Sequence, residues 1–177
     1  MAFLYPIMNT SKILTIVAGI ACLFSLSACG SSSTAIQPIA NTTSNAMGSG
    51  PAKYVAGTLA SGTTEMPAHI VSAVTGHLDA ELHKHNLAPS ANSERVIRID
   101  ATATYYRMRS GFSRMMVGIF AGKDGIECDV QLVDKTSGQP IGQFKVKSYN
   151  MTAVGGEDDV ARMLAVEIVK ALEQYKP

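Results

Sequence analysis

Between Arg95 and Tyr106 apolar and polar residues alternate, with Ile97, Ile99, Ala101 and Ala103 set against Arg98, Asp100, Thr102 and Thr104. A period of two marks a half-buried antiparallel strand. The alternation recurs from Gly125 to Val133, placing Ile126, Cys128, Val130 and Leu132 inward. It returns from Gly142 to Tyr149, with Phe144 and Val146 inward. Between those two runs, Asp134-Lys135-Thr136-Ser137-Gly138 has turn chemistry, and Gly138 suits a positive φ. A weaker first strand is expected over Lys53 to Leu59. Elsewhere the period lengthens to three and four. Ile70, Val71, Val74, Leu78 and Leu82 form one stripe of a helix. That helix is expected to start near Thr63 to Pro67, with proline in its first turn, and to stop near His85 or Asn86. Val160, Leu164, Ile168, Ala171, Leu172 and Tyr175 make the apolar face of a last helix. Glu157, Asp158 and Asp159 crowd its start, where the macrodipole favours negative charge, and Lys170 and Lys176 lie toward its end. The order β-α-β-β-β-α predicts an α+β fold. Two helices should pack on one face of a mostly antiparallel sheet of about four strands, as a two-layer sandwich, leaving the other face more polar.

Ahead of this pattern lies a different one. Ile13 to Leu26 is almost wholly apolar and follows Lys12. At about 14 residues it falls short of the roughly 20 that span a bilayer, but it fits the apolar core of a signal peptide. Met8 opens a conventional short basic region and is the expected start. Leu26-Ser27-Ala28-Cys29 resembles the bacterial lipobox. The resemblance implies cleavage between Ala28 and Cys29, a diacylglycerol thioether on Cys29 and an acylated amino group. Gly30 follows where inner-membrane retention uses aspartate, which implies the inner leaflet of the outer membrane, facing the periplasm. Residues 1–28 are then a signal peptide. Residues 29–52, rich in Ser, Thr, Asn and Gly and without charge from Gly30 to Ala52, read as a lipidated cysteine and a flexible tether. Such a coil has a root-mean-square span of roughly 25–30 Å. Residues 53–177 have the length of one ordinary domain.

All but one of the 15 Lys and Arg, and all 14 Asp and Glu, lie beyond Ala52. That balance excludes a generic nucleic-acid binder, which needs a strong basic footprint. Of the three cysteines, Cys22 leaves with the leader and Cys29 takes lipid. Cys128 is left alone on an apolar strand face and is expected to be a buried, inert thiol.

One segment fits no simple element. Arg107, Arg109, Phe112, Arg114, Met115, Met116, Phe120 and Lys123 lie in a glycine-punctuated, apolar and basic stretch. Either it continues a hairpin whose side chains finish the core and whose arginines form a solvated rim, or it is an adaptable loop whose Met, Phe and Arg side chains meet a partner. Arg114, Gly118-Ile119-Phe120-Ala121-Gly122, the alternation from Ile126 to Leu132 and Asp134 with Ser137-Gly138 together resemble a group of bacterial lipoproteins, the domain of unknown function 4410. The resemblance covers about Arg95 to Leu172 and implies an exported lipoprotein with a small α/β domain and no assigned activity.

His77, Glu81 and His85 share a face of the first helix. A span of eight residues rises about 12 Å, too far for one ion to join both histidines. Gly155-Gly156 before the last helix reads as a capping turn, since the three acids behind it would repel an anion. Nucleophile-elbow, phosphate-loop and zinc-protease motifs are absent. No enzyme, metal or cofactor is expected. The expectation is a non-enzymatic accessory lipoprotein. It is held to the membrane by its lipid and binds an envelope protein or polymer through the sheet edge or the segment from Arg107 to Lys123. The alternative is a carrier or sensor of an amphiphile, such as a lipid or glycolipid, in a pocket between helices and sheet.

Overall fold

The computed structural model describes residues 29–34, 36–39, 51–109, 124–150 and 156–175. In chain order the elements are β1 (Cys29–Ser33), β2 (Gln37–Pro38), β3 (Lys53–Ser61), α1 (Ala68–Lys84), β4 (Val96–Arg107), β5 (Asp124–Asp134), β6 (Pro140–Asn150) and α2 (Glu157–Gln174). The sheet runs β1-β6-β5-β4-β3, and β2 also pairs with β6. Among the described strands β3 and β4 pair in parallel, and the other ladders are antiparallel. Two helices on a mixed sheet make the expected α+β fold.

The alternation predicted the layers because a strand's side chains point to opposite faces in turn. Ile97, Ile99 and Ala103 of β4, Ile126, Cys128, Val130 and Leu132 of β5, and Phe144 and Val146 of β6 are buried. They meet Ile70, Val74, Leu78 and Leu82 of α1 and Val160, Leu164, Ile168 and Leu172 of α2 in one core. Burial pushes the Cys128 thiol up to about 12, helped by Asp129 and Glu127, as the inert reading requires.

The local signals act as follows. Asp134 Oδ1 accepts hydrogen bonds from Thr136 N at 3.0 Å and from Ser137 N at 2.8 Å, which closes the turn into β6. Gly138 takes φ 70° there. The capping turn before α2 is also as expected. Gly156 is its N-cap, and Asp159 Oδ2 accepts the Gly156 N–H at 3.0 Å. The start of α1 differs from expectation. Pro67 is the N-cap in extended conformation, with ψ 141°, so the helix begins after the proline. Thr63 and Thr64 donate instead to the Thr104 carbonyl across the sheet end.

The larger difference concerns residues 29–39 of the expected tether 29–52, of which residues 35 and 40–50 lie outside the described residues. Their polar composition predicts a tether, yet β1 and β2 lie in the sheet. Cys29↔Asn150 through Ser33↔Val146 pair along one half of β6, and Gln37↔Gln143 along the other. Thr34 fastens the link between them: its N–H donates to the Lys145 carbonyl at 2.9 Å, and its hydroxyl accepts from Lys145 N at 2.9 Å. The physical reason is the open edge of β6. Its backbone groups bond any extended chain regardless of side chain.

Candidate functional site

The period-two pattern that fills the core also decides what faces outward. Asp100 and Thr102 of β4, Asp129 and Gln131 of β5, and Gln143 and Lys145 of β6 stand on the sheet face away from the helices. Thr34 and Gln37 wall them at the β6 edge. Together they line an open groove of about 680 Å³. Lys145 Nζ donates to Asp129 Oδ1 at 2.8 Å. Arg98 grips Asp100 with two nitrogens, Nε to Oδ1 at 2.9 Å and Nη2 to Oδ2 at 2.8 Å. The Thr58 N–H donates to the same Oδ1 at 3.0 Å. Partial burial tends to raise the Asp100 carboxyl. The Arg98 bonds, the Thr58 amide and the Arg98 charge outweigh it and hold the group below the ordinary aspartate range.

Toward the end of β4 the same face turns aromatic. Tyr105 and Tyr149 meet edge to face, with centroids 6.3 Å apart. The Tyr149 hydroxyl donates to the Glu127 carboxylate, which also takes Lys147 at 3.2 Å. The face therefore offers carboxamides, hydroxyls and a ring pair. Its charges are largely matched in pairs, so it projects little net field.

The segment singled out in the sequence is only partly described. Arg107 is exposed at the end of β4. Arg109 does not belong to a solvated rim. Its side chain is 4% exposed and that of Asp124 is 1%. The Arg109 N–H donates to Asp124 Oδ1 at 2.7 Å and Nε donates to it at 3.0 Å. A guanidinium beside a buried carboxylate goes inward because the pair satisfies both charges. Phe112, Arg114, Met115, Met116, Phe120 and Lys123 lie outside the described residues, as does Ala28. Cys29 is placed by its backbone at the start of β1.

His69, His77 and His85 turn to the other helix. His69 lies 2.8 Å from Glu157, His77 lies 2.7 Å from Asp158, and His85 lies 2.7 Å from Glu173. Glu81 pairs with Lys84 at 2.9 Å and with His85 at 3.4 Å. Among the described residues no group of three such side chains is arranged to hold a metal ion.

Between helices and sheet the space lined by Val74, Leu78, Ile99, Leu164 and Ile168 holds about 10 Å³. Ligand pockets measure about 300–1,000 Å³. At this spot the described residues leave no room of that size. No described helix is long and apolar enough to cross a membrane.

Sequence reasoning had named the more polar sheet face without reading it as a site. Its signal is the outward set Asp100, Thr102, Asp129, Gln131, Gln143 and Lys145, polar side chains that can each make directed hydrogen bonds.

Comparison with known proteins agrees with this architecture. A family described as domain of unknown function (DUF4410) matches residues 36–154. No curated protein matches. Among solved structures, a PelC dodecamer from Paraburkholderia phytofirmans, in a leucine-to-methionine variant, superposes with a TM-score of 0.53 at 14% identity. The match covers 81% of this chain and 97% of that one. A second PelC dodecamer from that organism gives 0.45 at 14% identity, over 84% and 99% of the two chains. A candidate lipoprotein from Caulobacter crescentus CB15 gives 0.34 at 14% identity, over 65% and 89%. At such identity the first match speaks for the fold alone.

Proposed function

The chain belongs to the family of the domain of unknown function 4410, and from that premise we propose that it is a lipid-anchored, non-enzymatic binding protein of the cell envelope. It faces the periplasm and seats an uncharged, hydroxyl-rich glycan in the groove on the outer face of its sheet. The lipobox-like Leu26-Ser27-Ala28-Cys29 supports the anchor, and Gly30 supports the outer membrane. One observation carries the binding role: the groove of about 680 Å³ between Asp100 and Gln143.

The chemistry favours this occupant. Carboxamides both donate and accept, threonine hydroxyls do the same, and carboxylates accept. Such a set matches the alternating hydroxyls of a sugar chain. Because Asp129 meets Lys145 and Asp100 meets Arg98, neither a polyanion nor a polycation finds an unmatched field. The Tyr105–Tyr149 pair extends the surface with an apolar ring edge. The Asp100 carboxyl, held low, stays ionised at neutral pH, which suits accepting a hydrogen bond more than shuttling a proton.

Native electrophoresis through gels cast with uncharged, anionic or cationic polysaccharide tests this. The protein is expected to be retarded by an uncharged glycan, and Gln131→Ala with Gln143→Ala to abolish the retardation. Equal mobility in all gels would overturn the reading, as would retardation by the polyanion alone. A crosslink from the groove to a second copy of the chain would overturn it too, making the face a contact between protomers.

A further inference from the structure

The strand register fixes where the anchor leaves the domain. Cys29 pairs with Asn150, and Asn150 pairs with Asp124 across the next ladder. Asp124 binds Arg109 just beyond β4. The start of β1, the end of β6, the start of β5 and the end of β4 thus share one end of the sheet. Both helices begin there: Glu157 lies beside Tyr106 near the end of β4, and His69 lies 2.8 Å from Glu157. The turn from Asp134 to Gly138 sits at the other end, where β5 passes into β6. Cys29 is itself in the ladder, the first of five consecutive residues paired to β6.

We infer that acyl chains on Cys29 hold this end of the sheet directly against the lipid headgroups, so that the domain stands on the bilayer with one polarity instead of roaming on a tether. The inference rests on the lipid anchor proposed above. Its partner is the membrane surface, and its ground is the absence of spare chain between Cys29 and the sheet. A strand rises about 3.4 Å per residue. By that measure Lys145 and Gln143 stand about 17 and 24 Å from the level of Asn150, and the Asp134–Gly138 turn about 35 Å from it. The groove therefore opens above the headgroup layer, at a set height, where a polymer can run alongside the membrane. A coil from Cys29 to Ala52 would blur that height by its own span of roughly 25–30 Å.

The test uses the full lipidated protein in vesicles of phosphatidylethanolamine and phosphatidylglycerol containing a headgroup-linked acceptor dye. Donor dyes are placed at Arg107→Cys, near the inferred contact, and at Thr136→Cys, on the far turn. The buried Cys128 does not compete for label. Strong transfer from position 107 and weak transfer from position 136 are expected, for a difference in height of about 30 Å. Inserting a Gly/Ser stretch between Gly30 and Ser31 is expected to shrink that difference while leaving the core and the rest of β1 in place. Equal transfer from both labels in the parent protein, with mass spectrometry showing acylated Cys29, would overturn the inference and leave the anchor standing. A mature Cys29 free of fatty acid would instead remove the anchor itself, and this inference with it.

Discussion

Arg109 and Arg95 are both buried, and they differ in what meets their guanidinium groups. Arg109 is matched by Asp124. Arg95 is 5% exposed, and its Nε and Nη2 find no acceptor among the described residues. Removing one partner of a buried pair strands the other charge, at a cost of about 3–5 kcal/mol. Asp124→Asn is therefore expected to lower the urea midpoint of unfolding by an equivalent amount. Arg95→Met removes unsatisfied donors along with a charge that Asp134 feels, and is expected to lower the midpoint less than Asp124→Asn does. A loss equal to that of Asp124→Asn would show that Arg95 has an acceptor after all. Acid sensitivity belongs to this scale as well. Burial tends to raise the Asp134 carboxyl, but the amide and hydroxyl of Ser137, the Thr136 amide and the Arg95 charge bring it below its ordinary value. Asp100 is also held low. A carboxyl that is more acidic folded than unfolded adds stability above the ordinary range near pH 4, and that stability fades as pH falls through the lower folded value. Unfolding free energy measured from pH 6 to pH 2 should fall through this window, and Asp134→Asn should flatten the fall. Cys128 was legible because alternation marks a core position whatever the side chain. Asp124 was not, since a lone acid at the head of a strand reads as a solvated end until its partner is seen.

Among the elements, β4, β5, β6 and the two helices follow from periodicity, because burial of one face or one stripe is what forms them. β1 and β2 have no such signature. Gly, Ser and Gln there carry little apolar surface, and the pairing is set by backbone groups on the open edge of β6. This predicts a stabilising role for residues whose composition suggests none. Thr34→Pro removes the N–H that meets the Lys145 carbonyl and the hydroxyl that meets Lys145 N. A loss of about 1–3 kcal/mol is expected from two hydrogen bonds. Hydrogen exchange should quicken at the Lys145 amide and leave Leu164 in α2 unchanged. Unchanged exchange at Lys145 would mean that the edge of β6 is not covered by this segment.

For the molecule as a whole, the sheet divides the work. Its inner face is packed against two helices in one core, and its outer face is open and hydrogen-bonding. The fold class was legible from the order of elements, and the groove only as a polar face. Its walls come from Thr34 and Gln37, which join the site through β6 pairing that no linear pattern reveals. Binding by the outer face is the claim on which the functional account stands. Amide chemical-shift mapping of residues 29–177 during titration with an uncharged oligosaccharide tests it most directly. The predicted result is a cluster of shifts at Asp100, Thr102, Asp129, Gln131, Gln143 and Lys145, lost in Gln131→Ala with Gln143→Ala. Shifts confined to α1 and α2, or none at saturating sugar, would contradict it.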